Sequence, residues 1–144
     1  SKVAEAHPSS TVADRYGQKT IKQVQTEQIV KKHVEKITKK NVSLSQHPEK
    51  VDIYKGCSWD LYSKLQPEFE EGIDILYIDG AHDSLSVCRD IALYYPHVKP
   101  GGALIFDDYG AESVKKAADS RLSLFGNIEN AFYTGWQLWC VNGK

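Results

Sequence analysis

The stretch IDILYIDGAHDSLSVCRDIALYYPHVKPGGALIFDDY, residues 73–109, fixes the architecture of the chain. It holds two nearly continuous apolar runs, 73–78 and 103–106. Asp79 follows the first, and Asp107 and Asp108 follow the second. Such runs are expected of central strands in a parallel sheet covered on both faces. A helix-length connection, 84–95, and the turn Lys99-Pro100-Gly101-Gly102 lie between them. In open α/β sheets, ligands bind beyond the carboxyl ends of the strands. Three carboxylates therefore gather at the edge where chemistry takes place.

Outward from this centre, strands and helices alternate. Residues 10–13 read as a short strand ended by Asp14, and Gly17 opens a turn into a long helix, 19–40. Ile21, Val24, Val30, Val34 and Ile37 fall mostly on one stripe of that helix, opposite a face rich in Lys and Gln. A strand at 51–54 leads through Gly56-Cys57-Ser58 into a short helix, 59–65, closed by Pro67. A helix at 112–124 ends at Gly126, and 128–133 with 137–141 form a closing strand pair around Thr134-Gly135. Residues 2–6 read as the last turns of a helix stopped by Pro8. The pattern predicts an α/β fold, a doubly wound, mostly parallel sheet with helices on both faces and an antiparallel C-terminal edge.

Composition narrows the classes. The 144 residues, read as a single domain over 1–144, are enough to bury a real core. A net charge of −1 with interspersed Lys and Glu gives no basic footprint for nucleic acid. No apolar run is long enough to span a membrane, and no signal peptide is recognisable. Cys57, Cys88 and Cys140 are odd in number and set in apolar contexts, as expected of reduced thiols in a cytoplasmic protein. The chain contains no methionine, which points to a fragment, a processed chain or an incomplete reading frame.

Carboxylates at adjacent strand ends repel one another unless protons or a cation sit among them. An oxygen-rich cluster of Asp79, Asp107 and Asp108 suits Mg²⁺ or another hard divalent ion, which could hold a hydroxyl and lower its pKa. The same acids would also serve as helix caps or turn residues. His82, three residues beyond Asp79, has the imidazole chemistry of a general base, or else orders its loop by bonding a carboxylate. Gly56, Ser58 and Trp59 stand where a strand gives way to a helix, a place where backbone, hydroxyl and indole groups can meet a ligand. Asp14 ends a strand, as does the acid that accepts ribose hydroxyls in nucleotide-binding units; it equally suits a turn.

Three segments in order, VDIYKGCSWDLYSKL, IDILYIDGAHDS and KPGGALIFDDYG, carry a family likeness. The run 51–109 resembles class I S-adenosylmethionine-dependent methyltransferases, in particular the metal-dependent small-molecule O-methyltransferases. The resemblance implies that Asp79, Asp107 and Asp108 ligate a divalent metal such as Mg²⁺, with Asp79 also near the methionine amino group. It implies that Ser58 and Trp59 flank the adenine, with Gly56 in the same cofactor-binding turn, that Asp14 binds the ribose, and that His82 stands near the acceptor hydroxyl. S-adenosylmethionine and a small-molecule hydroxyl acceptor are then the expected partners, and a homo-oligomer is compatible. The glycine-rich loop that ends the first strand of that family is not recognisable, so the first strand and its loop are expected to precede residue 1. A degenerate, non-catalytic methyltransferase-like module is the alternative. Without any G-x-G-x-x-G, a nicotinamide-dependent oxidoreductase is disfavoured.

Overall fold

A computed structural model describes residues 11–14, 17–125 and 128–143, and of residues 11–27 the backbone alone. The expected helix end at 2–6 and the helix stop at Gly126 lie outside the described residues. The chain divides into two compact units, Ser1–Ile53 and Tyr54–Lys144.

In the first unit, β1 (Thr11–Asp14) pairs antiparallel with β2 (Gly17–Thr20). Gly17 was expected to open a turn; it starts a strand instead, with Gly17 opposite Asp14 in the ladder. The long helix follows as α1 (Ile21–Ser43), braced on its exposed side by a 2.8 Å ion pair between Lys39 and Glu35 one turn apart.

The second unit is a mixed four-stranded sheet with helices. Its elements are α2 (Ser58–Leu65), β3 (Ile73–Ile78), α3 (Ser84–Tyr94), β4 (Val98–Phe106), α4 (Glu112–Phe125), β5 (Ile128–Tyr133) and β6 (Leu138–Asn142). The strand order is β3-β4-β6-β5. β3 and β4 run parallel, whereas β6 is antiparallel to both β4 and β5, which is the expected C-terminal edge. The segment 51–54, expected as a strand, forms none: a strand needs a ladder, and β3 has no neighbour on its outer side among the described residues.

Cross-strand partners share a face, so Leu76, Leu104 and Cys140 form one row, and Ile78, Phe106 and Leu138 the next. Against these rows lie Val87, Ile91 and Tyr95 after α3's apolar stripe, with Val114, Ala117 and Ala118 of α4. Leu104, Phe106, Ile91 and Tyr95 are completely buried. Tyr77 and Trp139 belong to rows on the other face and remain exposed.

The Lys99-Pro100-Gly101-Gly102 segment, expected as a turn before β4, is a bulge within it. Ile73 pairs with Val98 and Ile75 with Ala103, so β4 spends three more residues than β3 over the same span. Gly101 takes a φ of 76°, the left-handed region that glycine enters freely. A Cβ on Gly102 would lie 2.8 Å from Val98 Cγ1 and 2.9 Å from the Lys99 carbonyl oxygen.

Asp83 starts α3 as its N-cap, its carboxylate accepting from the Ser86 amide at 3.0 Å. Bonds from Ser86 hold the Asp83 carboxyl below the usual carboxylate range. A depressed carboxylate stabilises the fold above its unfolded pKa, and that contribution fades as pH falls through the folded value. Asp83→Ala is expected to cost about 1 kcal/mol at neutral pH. Thermal melts of the two proteins should differ at pH 7 and converge in strong acid.

None of the three cysteines is in a disulfide. Burial pushes the Cys140 thiol up to about 11, while Cys57 and Cys88 are only half-buried. Since the thiolate is the nucleophile, iodoacetamide at neutral pH should modify Cys57 and Cys88 well before Cys140. Mass spectrometry of the modified peptides reads that order directly.

Candidate active site

The parallel register of β3 with β4 sets Ile78 opposite Phe106, so the two acidic strand exits leave the sheet side by side. The Asp107 amide donates to the Ile78 carbonyl at 3.0 Å and ties the exits together. Asp108 then takes a φ of 48°, a left-handed conformation that Asp tolerates better than most side chains. Beyond Asp79, the loop carrying His82 is clamped to the start of α4. Ser113 Oγ donates to the His82 carbonyl at 2.6 Å, and Ser84 Oγ donates to the Ser113 carbonyl at 2.9 Å.

These anchors bring Asp79, His82 and Asp108 together. One potential ligand atom from each lies within 4.8 Å of the other two. His82 Nε2 stands 3.1 Å from Asp108 Oδ2. Asp107 is at the same strand end but is turned to other partners: Tyr77 donates to its Oδ2 at 2.8 Å and Gln137 Nε2 to its Oδ1 at 3.2 Å. The Tyr77 bond, then Gln137, the Asp108 amide and the charge of His82, hold the Asp107 carboxyl below its ordinary range against some desolvation. The same bond raises the Tyr77 phenol. Trp139 steadies Gln137 in turn, Nε1 donating to Oε1 at 3.0 Å.

Beside Asp79 opens a cavity of about 380 Å³. Leu61, Leu76 and Ile78 supply apolar wall, and Ser58, Asp79 and Asp90 supply polar groups, a composition suited to a small organic ligand. Gly56 also lines it; a Cβ there would sit 3.1 Å from Leu61 Cγ. Trp59 is not among the lining residues, and its ring lies 5.2 Å from the Arg89 guanidinium. Asp14 closes β1 in the first unit, with only its backbone described.

Sequence reasoning singled out neither Tyr77 and Gln137, which hold Asp107, nor Asp90 and Tyr94 in the cavity wall. For Asp90 a signal existed: it is a charge on the stripe that also carries Val87, Ile91 and Tyr94, all buried. Burial raises its carboxyl above the ordinary range, and a hydrogen bond from Ser58 partly offsets this.

The α/β sheet with an acidic cluster at its parallel strand exits and a cavity beside it belongs to the class I S-adenosylmethionine-dependent methyltransferases on the strength of the family match. Residues 5–109 match the family described as methyltransferase domain, and the chain belongs to that family. It is 38% identical over 76 residues to an uncharacterized protein of Acanthamoeba polyphaga mimivirus, a match covering 52% of this chain and 34% of that one. The chain thus spans about a third of the length of this curated relative. The solved structure of the O-methyltransferase NovP is similar at a TM-score of 0.46 and 23% identity, over 49% of this chain and 30% of that one. Among the described residues, no helix is long and apolar enough to cross a membrane.

Proposed function

We propose that this chain is the methyltransferase domain of an S-adenosylmethionine-dependent O-methyltransferase that acts on a small-molecule hydroxyl with the help of a divalent cation. The observation that carries the reading is the convergence of Asp79, His82 and Asp108 at the strand exits. The family match, which runs through both compact units, supports treating 1–144 as one domain. In the same reading the sheet is doubly wound, with helices covering its second face.

The carboxylates of Asp79 and Asp108, with Asp107 anchored at the same strand end, suit a hard cation. Asp79, Asp107 and Asp108 would hold it. When bound, such an ion lowers the pKa of a hydroxyl placed on it. The cavity wall from Gly56 and Ser58 to Asp79 would hold the adenosyl and amino-acid ends of the methyl donor. S-adenosylmethionine supplies a sulfonium methyl, and the protein's task is to align it with the acceptor oxygen. His82, oriented by Asp108, or else Asp79 takes the hydroxyl proton.

The test is calorimetry with S-adenosylmethionine and S-adenosylhomocysteine, with and without Mg²⁺, followed by radiolabelled methyl transfer to a panel of phenols and sugars. Cofactor binding strengthened by the cation, with transfer to a hydroxyl, is the expected result. Failure of the native protein to bind the cofactor would leave a non-catalytic binding module as the better reading.

A further inference from the structure

Ser58 opens α2 and is gripped twice by α3. Its hydroxyl donates to Asp90 Oδ1, and its backbone carbonyl accepts from the Tyr94 hydroxyl at 2.6 Å. Asp90 and Tyr94 are four residues apart in one helix, hence on one face. All three residues line the cavity beside Asp79. The remaining carboxylate oxygen of Asp90 lies toward the turn after β3, 3.5 Å from where a Cβ on Gly80 would stand. A serine hydroxyl has one hydrogen to donate and two lone pairs that accept. With the hydrogen committed to Asp90, only acceptor capacity is left for a ligand.

We propose that Asp90 is a positioning residue for base selection: by holding the Ser58 hydroxyl hydrogen, it presents Ser58 to the cavity as an acceptor, favouring a purine with an exocyclic amino group over one with an oxo group. The inference rests on reading this cavity as the site of the adenosyl group. It adds that the choice between amino and oxo purine is made on α3, one hydrogen bond behind the residue that meets the base. An oxo group brought to Ser58 would set lone pairs against lone pairs, which disfavours it.

The test is calorimetry on the full chain with S-adenosylhomocysteine and its deaminated analogue, S-inosylhomocysteine. The native protein should prefer the adenine compound by about tenfold or more. Asp90→Leu leaves the serine hydrogen no acceptor on α3 and releases it to the cavity, so the preference should shrink to about threefold or less. Ser58→Ala should shrink it similarly, and Asp90→Ala repeats the test if Asp90→Leu does not fold. General loosening of the pocket would weaken both ligands together and leave the ratio unchanged. An unchanged ratio in a folded variant, with adenine binding intact, overturns the inference and leaves the cofactor reading standing. Absence of binding by either compound to the native chain overturns both.

Discussion

Replacing Asp108 with Asn is expected to abolish divalent-cation binding at the strand exits and to lower methyl transfer by a factor of about 10² to 10³. The substitution is a clean one. Asn occupies the left-handed region as readily as Asp, so the φ of 48° at this position is retained while one negative charge is lost. Asp79→Asn should act alike, since its carboxylate faces the same point as those of His82's partner and the imidazole itself. Asp107→Asn should weaken the cation less, because the Asp107 oxygens already receive bonds from Tyr77 and Gln137. Titration with Mn²⁺ and Mg²⁺, read by calorimetry beside labelled methyl transfer, gives the order of the three variants. Unchanged turnover and metal dependence in Asp79→Asn and Asp108→Asn would end the cation hypothesis.

The second large effect is on stability. Asn142, at the end of β6, is completely buried. Its amide donates to the carbonyls of Val98 and Lys99 at 2.8 and 3.2 Å, and its Oδ1 accepts from the Tyr95 hydroxyl at 2.9 Å. One side chain thus closes the mouth of the bulge in β4 and links it to the end of α3. Asn142→Ala takes three hydrogen bonds from buried groups at once, and a loss of about 3 kcal/mol is expected. Urea unfolding measures it. A cycle with Tyr95→Phe separates the tyrosine bond from the carbonyl bonds: the double variant should cost less than the sum of the singles. Strict additivity would mean that the Tyr95 contact contributes nothing.

Much of this fold was legible because hydrophobic runs and their punctuation are local. Ile73–Ile78, the helix beginning at Ser84, and the closing pair around Thr134-Gly135 all stand where the pattern places them. What was not legible depends on partners distant in sequence. Residues 51–54 have strand composition, yet a strand exists only with a neighbour. Pro100-Gly101-Gly102 reads as a turn in one dimension, and becomes a bulge because β6 continues the ladder from Ala103 while Asn142 holds the carbonyls before it. The acids show the same divide. That Asp79 and Asp108 converge follows from strand ends, whereas the turning of Asp107 to Tyr77 and Gln137 follows from a register that no local pattern records. Asn142 itself sits near a chain end, where a polar residue reads as surface.

The position of β4 within the sheet bears on how the acidic cluster moves. β4 is bonded along both edges, to β3 and to β6, while β3 ends the sheet among the described residues. Amide exchange with solvent is expected to be slow in β4, since both neighbours must leave before its ladder opens. Asp108 thus follows a strand held along both edges, which fixes its backbone against the rest of the sheet.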